Sequence, residues 1–132
     1  MRNFKPLLLC FLLLPALGQA QYKSQLNKAQ WVDSVFNSLT NDQRIAQLMV
    51  IRAHSNLGSD HVAKVSEEIK KYNVGALCFF QGGPVRQANL TNLYQSIAQT
   101  PLMVTIDGEW GLGMRLDSVA KFPYQLTIGA IN

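Results

Sequence analysis

The densest set of chemically capable side chains lies in Thr105-Ile106-Asp107-Gly108-Glu109-Trp110-Gly111-Leu112-Gly113-Met114-Arg115-Leu116, with two carboxylates, an indole, three glycines and a guanidinium. The apolar run Leu102-Met103-Val104-Thr105-Ile106 leads directly into Asp107. A carboxylate that ends such a run is partly withdrawn from water and needs donors. Ligand hydroxyls, a cation or Arg115 can supply them, and so can the Gly108 and Glu109 backbone N–H groups if Asp107 only caps its own turn. Two carboxylates this close serve as acid and base or as metal ligands when held correctly apart, and spacing by itself does not separate these roles. Glu109 is expected to pair with Arg115 and fold the glycine-rich loop back on itself. Trp110 offers either a flat face for a sugar ring or a lid over its own core. Gly108, Gly111 and Gly113 do not follow the dinucleotide order G-x-G-x-x-G.

Other polar residues carry weaker signals. Gln81-Gly82-Gly83-Pro84 reads as a turn that faces the same edge as Asp107, and Arg52 and His54 follow an earlier apolar run in the same way. His54 and His61 have no Cys or carboxylate at a metal-ligand spacing and are expected to be surface histidines, so no metal site is predicted. Cys78 falls within an apolar run and reads as an inert core thiol. The triplet Asn89-Leu90-Thr91 matches a glycosylation acceptor but falls within a predicted helix, where chance occurrence is the expected reading.

The elements that must position these residues follow from periodicity. Leu26, Ala29, Val32, Val35, Phe36 and Leu39 recur at helical spacing and predict a helix over 25–39. Thr40 and Gln43 form a capping-box pattern that opens a second helix. Leu48-Met49-Val50-Ile51 is a continuous apolar run, predicted to be a strand covered on both faces. The pattern then recurs, with helix 59–72, strand 74–80, helix 85–99 and strand 102–106. Alternation of this kind predicts an α/β fold with a parallel sheet and right-handed crossovers, either doubly wound or barrel.

The chain has 132 residues, 12 Lys+Arg against 8 Asp+Glu, and 48% hydrophobic residues, a globular composition that excludes disorder and collagen. Arg2 and Lys5 precede an apolar run, followed by Pro15 and the small-residue exit Gly18-Gln19-Ala20. This predicts a signal peptide over 1–20 and export to a periplasmic or extracellular location. Cys10 sits inside the apolar run after Leu9, an unfavourable context for lipidation. Removing residues 1–20 lowers the formal charge from +4 to +2 and leaves Cys78 as the single cysteine, so no intrachain disulfide is expected. Without a cluster of Lys and Arg, nucleic acid is not an expected partner, and no apolar stretch reaches the ~20 residues of a membrane span.

Asp107-Gly108-Glu109-Trp110-Gly111 followed by Met114-Arg115-Leu116 resembles the Asp-x-Glu-Gly-Gly-x-Val-x-Arg-Leu signature of glycoside hydrolase family 3, and most closely its β-N-acetylhexosaminidase branch. Gln43-Arg44-Ile45-Ala46-Gln47-Leu48-Met49, Val74-Gly75-Ala76-Leu77-Cys78-Phe79-Phe80 and the segment from Phe122-Pro123 to Ala130 fall in that family's order, so the resemblance covers about residues 30–132. Trp110 stands where the family usually has glycine.

The resemblance implies the N-terminal part of a (β/α)8 TIM barrel over 21–132, broken off after about three βα units, because eight units take about 250 residues. It implies a retaining, exo-acting hydrolase of terminal nonreducing β-linked sugars, with an N-acetylglucosaminide or a glucoside as substrate and no cofactor. Asp107 would accept hydrogen bonds from hydroxyls of the sugar in the −1 subsite, with Trp110 beside it. Glu109 and Arg115 would organise the loop. The family's late aspartate nucleophile and its Asp-His acid/base loop have no counterpart in the 132 residues. A retaining mechanism needs both carboxyl groups about 5 Å apart, so no catalytic residue is assigned and this stretch is expected to be inactive by itself. The alternatives are a β-glucosidase of the same family and a noncatalytic sugar-binding βα module. The apolar ending Thr127-Ile128-Gly129-Ala130-Ile131 favours truncation over a finished module.

Overall fold

The computed structural model describes residues 27–131, so the expected signal peptide lies outside the described residues. The chain divides into two compact units, Met1–Ser34 and Val35–Asn132. Helix α1 (Lys28–Ser38) starts where the Asn27 side chain accepts from Gln30 N at 2.9 Å and the Gln30 side chain accepts from Asn27 N at 3.1 Å. This reciprocal cap satisfies two N–H groups that the helix itself leaves free.

In the second unit, α2 (Asn41–Ala46) begins with the expected capping box between Thr40 and Gln43. Then follow β1 (Val50–Ala53), α3 (Gly58–Tyr72), β2 (Ala76–Phe79), α4 (Pro84–Ile97) and β3 (Met103–Ile106), with a 3-10 turn at Leu112–Met114 and a short α5 (Gln125–Gly129). The strands form a parallel sheet in the order β1-β2-β3, with Ala53 opposite Phe79 and Phe79 opposite Ile106. Among the described residues no helix is long and apolar enough to cross a membrane.

The first strand starts two residues later than its apolar run predicts. Leu48 N and Met49 N still donate to Ile45 O and Ala46 O, both at 3.0 Å, which carries the turn of α2 onward to Met49. Gly75 then meets this turn: a Cβ there would lie 2.0 Å from Gln47 O, so only glycine allows the approach that starts β2. Helix α3 ends at Asn73, which adopts a left-handed conformation (φ 55, ψ 52). Its buried amide bonds Thr100 Oγ1 at 3.0 Å and Thr100 N at 3.1 Å. Asparagine tolerates this backbone region better than most residues, and here its side chain also ties the end of α3 to the approach to β3.

Alternation along the strands decides which face is covered. Ala53, Leu77 and Phe79 point into a core with Val65 and Ile69 of α3, Tyr94 of α4, and Leu102. The opposite face carries Val50, Arg52, Ala76, Cys78, Met103 and Thr105, with Val50 and Met103 exposed. The sheet is therefore covered by helices on one face, while the other face is open at its outer strands, at Val50, Arg52 and Met103, and buries Ala76 of the central one, which corrects the expectation of a first strand buried on both sides. Cys78 lies on the open face and is half-buried rather than enclosed in the core.

Candidate functional site

Carried one residue past each strand, the same alternation puts His54, Phe80 and Asp107 in a row along the carboxyl edge of the open face. Parallel sheets present binding groups at this edge because the loops there converge. The Phe80 ring is the centre of the row: His54 stacks on it with centroids 5.7 Å apart, the Arg115 guanidinium lies 4.7 Å from its centroid, and Arg52 lies at 5.9 Å.

Arg115 grips Asp107 twice, from Nε to the Asp107 main-chain oxygen at 2.6 Å and from Nη2 to Oδ2 at 2.5 Å. The guanidinium side chain is 14% exposed and the Asp107 side chain 41%. The other carboxylate oxygen, Oδ1, accepts no hydrogen bond among the described residues. Asp107 is thus a fixed acceptor with one open oxygen at the strand end, and it does not cap its own turn. The expected Glu109–Arg115 pair is corrected here. Glu109 is exposed and makes no ion pair among the described residues, because Arg115 is already seated between Asp107 and the Phe80 ring. Glu109 contributes through its main chain, whose oxygen accepts from the Gln125 side chain.

The loop that carries these residues is shaped by its glycines. Gly108 O accepts from Gly111 N at 3.0 Å, which puts Glu109 and Trp110 at the tip of a tight turn. Gly111 leaves this turn with φ 98 and ψ 170, a conformation open only to glycine. Trp110 has no positive φ, so the backbone accommodates a large side chain at the tip of the turn. Its ring meets Tyr124 edge to face at 5.2 Å and faces a hollow of about 350 Å³ rather than the buried core.

Two features escape sequence reasoning. Ser55 is nearly buried and laces the loop after β1 to the segment after β2: its N donates to Gln81 O at 3.1 Å, its Oγ accepts from Gly83 N at 3.0 Å, and its O accepts from Arg86 Nε at 3.0 Å. Gly82 in turn donates to Arg115 O at 3.1 Å and accepts from Asp117 N at 2.8 Å, and Arg86 pairs with Asp117. Gln81-Gly82-Gly83-Pro84 is therefore a splice between loops, not a plain turn. The second feature is the histidine pair, which corrects the expectation of surface histidines. His54 and His61 meet at 5.4 Å, His54 N donates to His61 Nε2 at 3.1 Å, and both ring nitrogens of His54 are buried without a partner among the described residues. Burial pushes the His54 pKa below its ordinary value, and the charges of Arg52, His61 and Arg115 act in the same direction. The Asn89-Leu90-Thr91 triplet lies inside α4, as expected.

No model of a known protein family matches the chain, and no curated protein matches it.

Proposed function

We propose that this chain is the N-terminal part of the barrel of an exported glycosidase that removes terminal nonreducing β-linked sugars, of the β-N-acetylhexosaminidase type, with Asp107 as an acceptor for sugar hydroxyls. The observation that carries the reading is the Asp107 carboxylate at the carboxyl end of a parallel strand, held through Oδ2 by Arg115 and open at Oδ1. Sugar recognition uses such fixed, charged acceptors, because hydrogen bonds to a carboxylate are about twice as strong as neutral ones. The barrel is supported by the sheet face that bears Val50 and Met103 without cover, since parallel sheets are ordinarily covered on both faces. Further strands that close around this face would cover those residues and make the row His54, Phe80 and Asp107 part of the barrel mouth. Export rests on the leader-like sequence of residues 1–20.

Saturation-transfer NMR of the chain with N-acetylglucosamine and with glucose tests the reading. Binding is expected to favour N-acetylglucosamine and to vanish in Asp107→Ala, while Glu109→Gln retains it. Equal signals for the variant and the parent chain would remove Asp107 from the site, and preference for glucose would turn the reading to a β-glucosidase. Because the 132 residues lack counterparts of the late aspartate nucleophile and the Asp-His loop of the family they resemble, the chain itself is expected to release no chromophore from a chromogenic N-acetylglucosaminide.

A further inference from the structure

The His54 ring lies with one face on Phe80 and meets His61 of α3 edge to face, and both of its nitrogens are shut off from water without a partner among the described residues. A neutral imidazole leaves one N–H and one lone pair unpaired in such a place, whereas an imidazolium would leave two N–H groups and a full charge. Among the described residues the charged and titratable groups that face the ring are Arg52 from β1, His61 from α3 and Arg115 from the loop after β3, and none of them is an anion. The end of β2 presents only the uncharged Phe80. His61 Nε2 already accepts from His54 N at 3.1 Å, and the Asp107 carboxylate at the other end of the row is taken by Arg115. Burial and the neighbouring positive charges hold the His54 pKa below its ordinary 6.5, so the ring is neutral at neutral pH.

Phe80 links this histidine to Asp107. The ring planes of His54 and Phe80 are 23° apart, and the Arg115 guanidinium lies 4.7 Å from the Phe80 centroid. That guanidinium holds Asp107 from Nε to the main-chain oxygen at 2.6 Å and from Nη2 to Oδ2 at 2.5 Å. A charge on His54 repels Arg115 across the ring that seats it. Relief comes when the imidazole swings out to water or the guanidinium moves away, and either movement alters the packing that fixes the carboxylate.

We infer that His54 is a positioning residue for the acceptor at Asp107: its neutral ring, packed on Phe80, keeps Arg115 on the carboxylate, and a proton on that ring releases the hold. The inference rests on the sugar-acceptor reading of Asp107 and adds an acid sensitivity to that site. By linkage, a sugar that needs the hold binds the protonated form more weakly and lowers the His54 midpoint by the same factor.

NMR of the full chain without sugar follows the Arg115 Nε–H resonance and the His54 ring protons between about pH 8 and 5, with circular dichroism marking the folded range. The Arg115 signal is expected to move with the midpoint of the His54 ring. It is expected to stay fixed in His54→Phe, which keeps an aromatic ring beside Phe80 and takes up no proton. Calorimetry is expected to show the affinity for N-acetylglucosamine falling about three- to tenfold over this range in the parent chain and less than about twofold in His54→Phe. Saturating sugar should lower the His54 midpoint by about 0.5–1 pH unit, the same factor read from the other side.

An Arg115 signal that does not follow the His54 ring in the parent chain overturns the inference, needs no variant, and leaves the Asp107 reading intact. A loss of affinity of equal size in folded His54→Phe assigns it to other groups and also overturns the inference. Coincident titration of His54 and Arg115 with no sugar bound at any pH supports the role of His54 in holding Asp107 and refutes Asp107 as a sugar acceptor.

Discussion

Replacing Gly82 with alanine attacks the splice that joins the three loops at the carboxyl edge. The added Cβ would lie 1.7 Å from Ser55 Oγ, 2.8 Å from Ser55 Cβ and 3.1 Å from Ser55 Cα. Rotating the hydroxyl away does not relieve the closest contact freely, because Ser55 Oγ is the acceptor for Gly83 N at 3.0 Å. The chain either tolerates overpacking, about 1–3 kcal/mol, or leaves a buried N–H without a partner, about 1–3 kcal/mol more. Gly82→Ala is therefore expected to cost about 2–4 kcal/mol, a large part of the stability of a small domain.

Ser55→Gly removes the hydroxyl and the Cβ together and leaves the Cα as the nearest atom. By itself it is expected to cost about 1–3 kcal/mol for the lost bond and the added chain freedom. Combined with Gly82→Ala it removes the clash, so the double variant is expected to fall short of the sum by about 1–2 kcal/mol. Urea unfolding followed by circular dichroism gives the three values, provided the slope is unchanged. The main-chain N–H resonance of residue 82 reports the splice directly, since Gly82 N donates to Arg115 O at 3.1 Å. A Gly82→Ala variant within about 0.5 kcal/mol of the parent, or a strictly additive double variant, would refute the reasoning.

Tyr94 is completely buried and its hydroxyl has no hydrogen-bond partner among the described residues, so Tyr94→Phe is expected to be neutral or to stabilise by up to about 1 kcal/mol. A loss above about 1 kcal/mol in urea unfolding would reveal a partner for the hydroxyl. The pKa of His54 lies below its ordinary 6.5 because of burial and nearby positive charge, so the unfolded chain takes up this proton first on acidification. Its contribution to stability is present above about pH 6.5 and is lost as pH falls through the folded-state value, and the urea midpoint is expected to decline in that window. His54→Phe should flatten the decline, and an equal slope in the variant would assign it to other groups.

The order of the elements was legible because it depends on interactions within a few residues. The Thr40–Gln43 capping box and the alternation of apolar runs with amphipathic segments are local signals. The three strands fall within or beside their predicted runs for the same reason, although β1 starts late because α2 keeps Leu48 and Met49 in its turn. The position of Asp107 at the end of the third strand was also visible, since an apolar run leads into it.

The partner of Arg115 was not visible, because Asp107 and Glu109 both lie within its reach along the chain. The tertiary structure decides between them through Phe80, which seats the guanidinium beside the Asp107 carboxylate and is brought there by a strand register that pairs residues 27 apart. Ser55 gave no signal at all, since a lone serine in a loop acquires its role only when the Gly82–Gly83 backbone is packed against it. The histidine pair is a similar case, because the burial of the His54 nitrogens depends on α3 and β2 lying on either side. The sequence by itself determined which segments are helix and strand and which residues stand at the strand ends. Contacts among loops some 30 residues apart, with no local pattern to announce them, were decided only when the parallel sheet brought those loops to one edge.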